Sequence, residues 1–201
     1  MNIIKRAFIR IRKAFYKRKY REFHYSSGIG SDGCGGECII QGSDNISVGP
    51  DSVIGRQSEI MLTKNHFSQT LSPCLLIGKH VRITARCRIT CANKIVIEDD
   101  VLIAPDVFIT DHNHGLNPEA VDGYSSQKLI VRETVIRKGV WIGQKACVLA
   151  GVEIGEHSVI GAGSIVTHDI PSFCIAVGNP ARVIKQWDSQ TKHWKNVEQD
   201  E

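Results

Sequence analysis

Six aliphatic residues near the C-terminus, Ile136, Ile142, Val148, Ile154, Ile160 and Val166, recur at a strict interval of six, and three of them are followed by glycine. A helix returns a side chain to the same face after three or four residues, and a strand after two. A period of six therefore implies short straight segments separated by corners, with three hexads closing one triangular turn. A second register, four residues further on, holds Val140, Ala146, Val152, Ser158 and Ser164. All are small or β-branched, as corners packed inside a narrow prism require. This is the pattern of a hexapeptide parallel β-helix.

The register recurs upstream. Ile77, Ile83 and Ile89 keep it, then Ile97, Ile103 and Ile109, with the eight-residue step from Ile89 to Ile97 read as a two-residue bulge at one corner. Val81, Cys87, Ile95, Val101 and Val107 form the companion row. A weaker set, Val48, Ile54 and Ile60, opens the solenoid, and the residues between Met61 and Ile77 read as an excursion. About five coils result, enough to bury a continuous aliphatic column that a single coil could not.

Composition refines this picture. The 201 residues suit one elongated domain with appendages, and aromatics are only 6%, as a prism too narrow for rings demands. No apolar run reaches the length of a membrane span, and the first twenty residues lack the uninterrupted apolar stretch of a signal peptide, so a cytoplasmic location is expected. Seven cysteines, an odd number, fit a reducing compartment. Cys34 with Cys38 and Cys87 with Cys91 have a spacing seen at some zinc sites, but Cys87 falls in an inward register, and no metal is expected.

Charge is unevenly placed. Residues 1–21 carry nine Lys and Arg and no acid; the remainder has 16 basic against 21 acidic residues, so a net +4 is a basic segment on a body of −5. Ile3, Ile4, Ala7, Phe8, Ile11, Ala14 and Phe15 fall at helical spacing with the basic residues mostly opposite, so an amphipathic helix is expected within residues 1–25. Two uses stay open: residues 1–22 lying on an anionic membrane surface, or covering the open end of the solenoid or a neighbouring subunit. No motif for nucleic acid continues into the body.

The solenoid register breaks once at a chemically loaded place. After Ile109 and Thr110 the chain reads Asp111-His112-Asn113-His114-Gly115 and continues through a polar loop, 111–134, until Ile136 restores the period. A loop of this length inside a rigid repeat is usually functional. Histidine suits proton transfer near neutral pH. Metal binding by the two histidines, or plain surface exposure, are the alternatives these residues leave open.

The run from Trp141, WIGQKACVLAGVEIGEHSVIGAGSIVTHDIPSFCIAVGNPARVIK, closely resembles the C-terminal half of hexapeptide acyltransferases, in the branch with galactoside, maltose and nodulation-factor acetyltransferases. IAPDVFITDHNHG, from Ile103, is similar to the catalytic stretch of polysaccharide and lipopolysaccharide O-acetyltransferases. The resemblance covers residues 77–186 well and 40–61 loosely. It implies an all-β, left-handed parallel β-helix over residues 26–186, a homotrimer with active sites between prisms, and acetyl-CoA as donor. The tail, 187–201, lies outside the resemblance and is expected to form a short helix.

By the same resemblance His112 is the catalytic base, and Asp111, Asn113 and His114 either orient it or meet the acceptor. Gln144 falls where the family contacts pantetheine, and Ala162 where a small residue lets the cofactor approach the backbone. Thr167 and His168 match a pair that is often Thr-Lys. Arg182 and Lys185 fit the nucleotide and phosphate end. Where the galactoside enzymes have Ala-Asn, this chain has Ala85-Arg86, so Arg86 either meets an acidic acceptor or forms a corner ion pair. The expected reaction is O-acetylation of a saccharide hydroxyl in surface-glycan modification. N-acetylation of a nucleotide-linked amino sugar is the alternative. A γ-class carbonic anhydrase is disfavoured, because His112 and His114 are two apart rather than five.

Overall fold

The computed structural model describes residues 38–121 and 123–197. Three parallel sheets form the walls of a prism. The first stacks Ile39–Gln41, Glu59–Leu62, Arg88–Cys91, Phe108–Thr110, Cys147–Val148 and Ile165–Val166. The second stacks Ile46–Val48, Cys74–Ile77, Lys94–Ile97, Thr134–Ile136 and Glu153–Ile154, with Ile170 bridging to Ile154 beyond it. The third runs from Val53–Ile54 through Arg82–Ile83, Leu102–Ile103, Trp141–Ile142 and Val159–Ile160 to Cys174–Gly178. The chain visits the sheets in that order once per coil. The solenoid begins one strand earlier than Val48, because Ile40 pairs with Ile60.

The register of six is the register of stacking. Ile83, Ile103, Ile142 and Ile160 lie one above another in the third sheet, as do Ile60, Ile89, Ile109 and Val148 in the first. Nearly every member of both rows is buried; only Val48, in the opening coil, is partly open. Corner serines are buried too, and their hydroxyls bridge coils. Ser52 Oγ donates to the Gly78 carbonyl at 2.7 Å and accepts from the Val81 amide at 2.9 Å. Ser158 does the same with Pro171 and Cys174. A hydroxyl thus replaces a methyl without leaving a polar atom unpaired.

Two corners share one turn geometry. Gln57, Arg86, Asp106 and Lys145 have positive φ where the third sheet passes to the first; Asp51, His80, Asp100, His157 and Phe173 have it where the second passes to the third. The remaining corner, from the first sheet to the second, is irregular and carries both excursions. An antiparallel hairpin, Asn65–His66 with Gln69–Thr70, leaves it after Leu62, and the long loop leaves it after Thr110.

The helix expected in the tail, 187–201, is not found among the described residues. Ala181–Asp188 returns antiparallel along Cys174–Gly178, and His193–Asn196 pairs with it in turn. The last parallel strand would otherwise present an open edge. Val183, Ile184, Trp187 and Trp194 are β-branched or aromatic and suit a strand. Asp188 Oδ1 accepts from the amides of Gln190 and Thr191 to fix the turn, and Trp187 and Trp194 meet edge to face at 5.3 Å. The expected N-terminal helix lies outside the described residues, as does Cys34. Among the described residues no helix is long and apolar enough to cross a membrane.

Candidate active site

Asp111 follows directly on the strand Phe108–Thr110, and its side chain is fully buried at the irregular corner. The two-residue bulge after Ile89 explains how a buried carboxylate is tolerated there. The extra residues, Ala92 and Asn93, turn their amides towards Asp111 from the coil below, donating to Oδ1 at 2.8 Å and Oδ2 at 2.7 Å. The Cys91 thiol donates to Oδ2 at 3.2 Å. Burial alone would raise the Asp111 pKa, but the hydrogen bonds from His112, Ala92, Asn93 and Cys91 together bring it below the ordinary value. The carboxylate is therefore ionised at neutral pH.

His112 Nδ1 lies 2.8 Å from Asp111 Oδ1, and its side chain is 18% exposed. An ionised carboxylate only accepts, so Nδ1 carries the proton in this pair and, in the neutral imidazole, the lone pair lies on Nε2. The backbone is pinned on both sides. His112–Asn113 pairs antiparallel with Ile130–Val131, the Arg132 amide donates to the Asp111 carbonyl at 2.8 Å, and buried Thr134 Oγ1 donates to the Thr110 carbonyl at 2.9 Å. Asn113 and His114 are exposed. The geometry thus separates Asp111, which touches the His112 imidazole, from its two neighbours, which do not.

Arg86 stands at the third-to-first corner, one sheet away. Its guanidinium pairs bidentately with Asp106 at 2.7 and 2.9 Å, and Gln144 Nε2 donates to the same carboxylate at 3.2 Å. Arg86 and Gln144 are therefore neighbours in one corner ladder. The hydrogen bonds from Arg86 and then Gln144 hold the Asp106 carboxyl below its ordinary value. Ala162 is exposed higher on that corner, where a Cβ added at Gly163 would meet nothing within 4 Å. Thr167 and His168, hydrogen-bonded to each other at 2.8 Å, stand on the His112 corner two coils beyond it, about 10 Å along the prism.

Arg182 and Lys185 are three apart, a spacing that would put them on opposite faces of a regular strand. The register shifts between Ile175 and Ala176, so that Arg182 opposes Val177 and Lys185 opposes Ile175, with Ile184 as the extra residue. Val183 and its partner Ala176 pack towards the core. Arg182 and Lys185 consequently share the outward face. An open groove lined by Leu76, Val96, Glu98, Asp99, Lys138 and Glu156 lies on the far edge of the second sheet from His112 and holds no comparable dyad. Cys87 and Cys91 are buried, with thiols bonded to the Ala104 carbonyl and to Asp111. No cluster of three metal-ligating side chains forms among the described residues.

Residues 133–168 match the family described as bacterial transferase hexapeptide (six repeats). A protein of Escherichia coli K12 named as a lipopolysaccharide biosynthesis O-acetyl transferase, WbbJ, is 32% identical over 167 residues, 80% of this chain and 81% of its own. The chain belongs to the hexapeptide-repeat acyltransferases. The prism is accordingly a left-handed parallel β-helix. A solved galactoside acetyltransferase in complex with coenzyme A shares 29% identity at a TM-score of 0.52, covering 81% of this chain and 72% of that one. An N-acyltransferase of Bacillus cereus, AntD, solved with dTDP and 3-hydroxybutyryl-CoA, has a TM-score of 0.66 at 21% identity, covering 88% and 89%, and is alike in fold.

Sequence reasoning left the hairpin around Phe67 without a role and did not foresee the donors to Asp111. The eight-residue step at Ile89 was the available signal for the second.

Proposed function

We propose that the protein is an acetyl-CoA-dependent O-acetyltransferase of a saccharide hydroxyl, acting as a homotrimer in surface-glycan modification, with His112 as general base. The observation that carries this reading is the Asp111–His112 pair: a buried, ionised carboxylate at Nδ1 leaves Nε2 free to accept a proton. The acceptor hydroxyl gives its proton to Nε2 as its oxygen forms a bond to the thioester carbonyl carbon. Collapse of the tetrahedral intermediate breaks the carbon–sulfur bond, and the proton on Nε2 passes to the departing thiolate. No acyl-enzyme is needed. The buried Cys91 thiol is poorly suited to nucleophilic attack, since burial and the adjacent Asp111 raise its pKa.

The coenzyme A bound by the galactoside relative supports the donor, and the name of the E. coli relative supports a glycan acceptor. Gln144 and Ala162 on one corner, and Thr167 and His168 on another, suit a ligand lying between two prisms that each present a different corner. Leu102, Trp141, Val159 and Ile175, stacked outward on the third sheet, offer an apolar stripe for such packing. Arg182 and Lys185 complement the phosphates of the donor. The basic segment, residues 1–22, suits contact with an anionic membrane surface.

The test is coenzyme release across oligosaccharides, free sugars and nucleotide-linked amino sugars, for the wild type and His112→Ala. A saccharide hydroxyl is expected as acceptor, with turnover of the folded variant lower by about 10²-fold or more. Release with amino sugars alone moves the reading to N-acetylation, and near-normal turnover of the variant removes the base.

A further inference from the structure

The hairpin Asn65–Thr70 is fastened to the catalytic loop. Gln69 Nε2 donates to the Leu129 carbonyl at 3.2 Å, and the Leu129 amide returns a bond to Gln69 Oε1 at 2.7 Å. His66 Nε2 lies 3.1 Å from the Gln127 carbonyl and so donates to it. The Leu71 amide closes the base of the hairpin on the Lys64 carbonyl at 2.8 Å. The two excursions leave the prism from coils two apart, so these bonds arch over the corner where Cys91, Ala92 and Asn93 face Asp111.

At the tip stands Phe67, with φ of 49° and a side chain 71% exposed. A bulky residue in the left-handed region is strained, and nothing is regained here by burial. Among the described residues the other non-glycine residues with positive φ belong to the two regular corner ladders, except Lys192 in the C-terminal turn. The Phe67 ring meets His66 edge-on at 5.0 Å, and His66 meets His114 at 5.3 Å. Those two steps bring the phenyl ring within about 10 Å of an imidazole two residues from His112. The loop that carries His114 also leaves Leu116, Tyr124 and Ile130 exposed.

We infer that the Asn65–Thr70 hairpin is the acceptor platform: the exposed face of Phe67 takes the C–H face of a pyranose ring while a hydroxyl of the same glycan reaches His112. This rests on the saccharide reading above. A sugar ring is apolar on its faces and polar at its rim. A phenyl face with the His66 imidazole beside it complements both parts. Hydrogen bonds from His66 to Gln127 and between Gln69 and Leu129 fix the hairpin that carries the ring, so little backbone freedom is lost when the sugar arrives.

The experiment measures coenzyme-release kinetics with methyl and p-nitrophenyl pyranosides of the gluco, galacto and manno series, for the wild type, Phe67→Ala and Phe67→Trp, with sedimentation of each. Phe67→Ala is expected to raise the acceptor KM about tenfold, the loss of one aromatic contact. The KM for acetyl-CoA, kcat at saturating acceptor and the assembly state should stay unchanged, and Phe67→Trp should restore the acceptor KM. An unchanged acceptor KM in Phe67→Ala overturns the platform and leaves the transferase reading standing. Altered sedimentation overturns it by making Phe67 a subunit contact. Turnover of no pyranoside by the wild type overturns the saccharide reading, and the platform with it.

Discussion

The prism has two corners that repeat and one that does not, and the proposed catalytic pair, Asp111 with His112, sits at the second kind. At the repeating corners each coil places a residue in the same left-handed conformation, and side chains stack into ladders such as Arg86, Asp106 and Gln144. Where a further coil lies over it, such a corner has little room for anything new. At Gly139, an added Cβ would come within 2.4 Å of the His157 ring lying over it. The irregular corner obeys no common turn. One coil adds two residues there, another a hairpin and a third a loop of some twenty residues, and each addition sends a polar group towards Asp111 or fastens the loop that carries His112. Repetition builds the column; departure from it builds the site.

Replacing Asp111 with Asn breaks this contrast most directly. An amide in place of the carboxylate allows Nδ1 to lose its proton and Nε2 to gain one, which removes the base. A fall in turnover of about 10²-fold or more is expected, measured by coenzyme release with far-ultraviolet dichroism unchanged. The wild type adds a pH signature. Because the folded Asp111 pKa is depressed, its contribution to stability is complete above the ordinary aspartate value, about 3.9, and is lost as pH falls through the folded value. In the variant that part of the acid unfolding curve should disappear. Full activity in Asp111→Asn would show that the irregular corner does not set the tautomer.

The opposite region answers differently. Ile142 is wholly buried in the regular column, and Ile142→Ala removes methylenes that the surrounding β-coils are too rigid to replace. A loss of about 2 to 5 kcal/mol in unfolding free energy is expected from denaturant titration, with turnover of the folded fraction little changed. A cost well under 1 kcal/mol would mean that the column collapses around the gap. A smaller effect is expected from the double change of Arg182 and Lys185 to Ala. It should weaken acetyl-CoA binding about tenfold and flatten its salt dependence, read by calorimetry at two ionic strengths. Unchanged affinity would place the phosphates elsewhere.

The same division decides what the sequence reveals. A row of Ile and Val at every sixth position can be read without coordinates, because each residue meets its counterpart one coil away and all obey one period. His112 was legible because it stands where that period stops. The residues that act on it were not: Ala92 and Asn93 contribute only backbone amides, which any residue carries, and their sole trace is a step of eight instead of six. The tail misled for a different reason. Whether His193–Asn196 is helix or strand depends on the edge offered by Ala181–Asp188, itself laid along Cys174–Gly178, a tertiary fact that local propensity does not contain. Arg182 and Lys185 share a face only because of an extra residue whose register is invisible in one strand alone.

The smallest effect is expected at Arg86. The sequence leaves it between an acidic acceptor and a corner ion pair, and its guanidinium is fully engaged by Asp106 in a turn that recurs up the whole ladder. That pair is open to solvent, where screening leaves little net stabilisation. Arg86→Ala should therefore leave the acceptor KM and kcat at their wild-type values and the melting midpoint close to it. Loss of the guanidinium leaves Asp106 with Gln144 and the Lys145 charge, so its carboxyl should titrate nearer the ordinary value, observable by NMR of the Asp106 side chain. A selective rise in KM for anionic glycans, with neutral ones unaffected, would instead show that a repeating corner takes part in acceptor recognition. The separation between column and site would then have to be redrawn around the ladder of Arg86, Asp106 and Gln144.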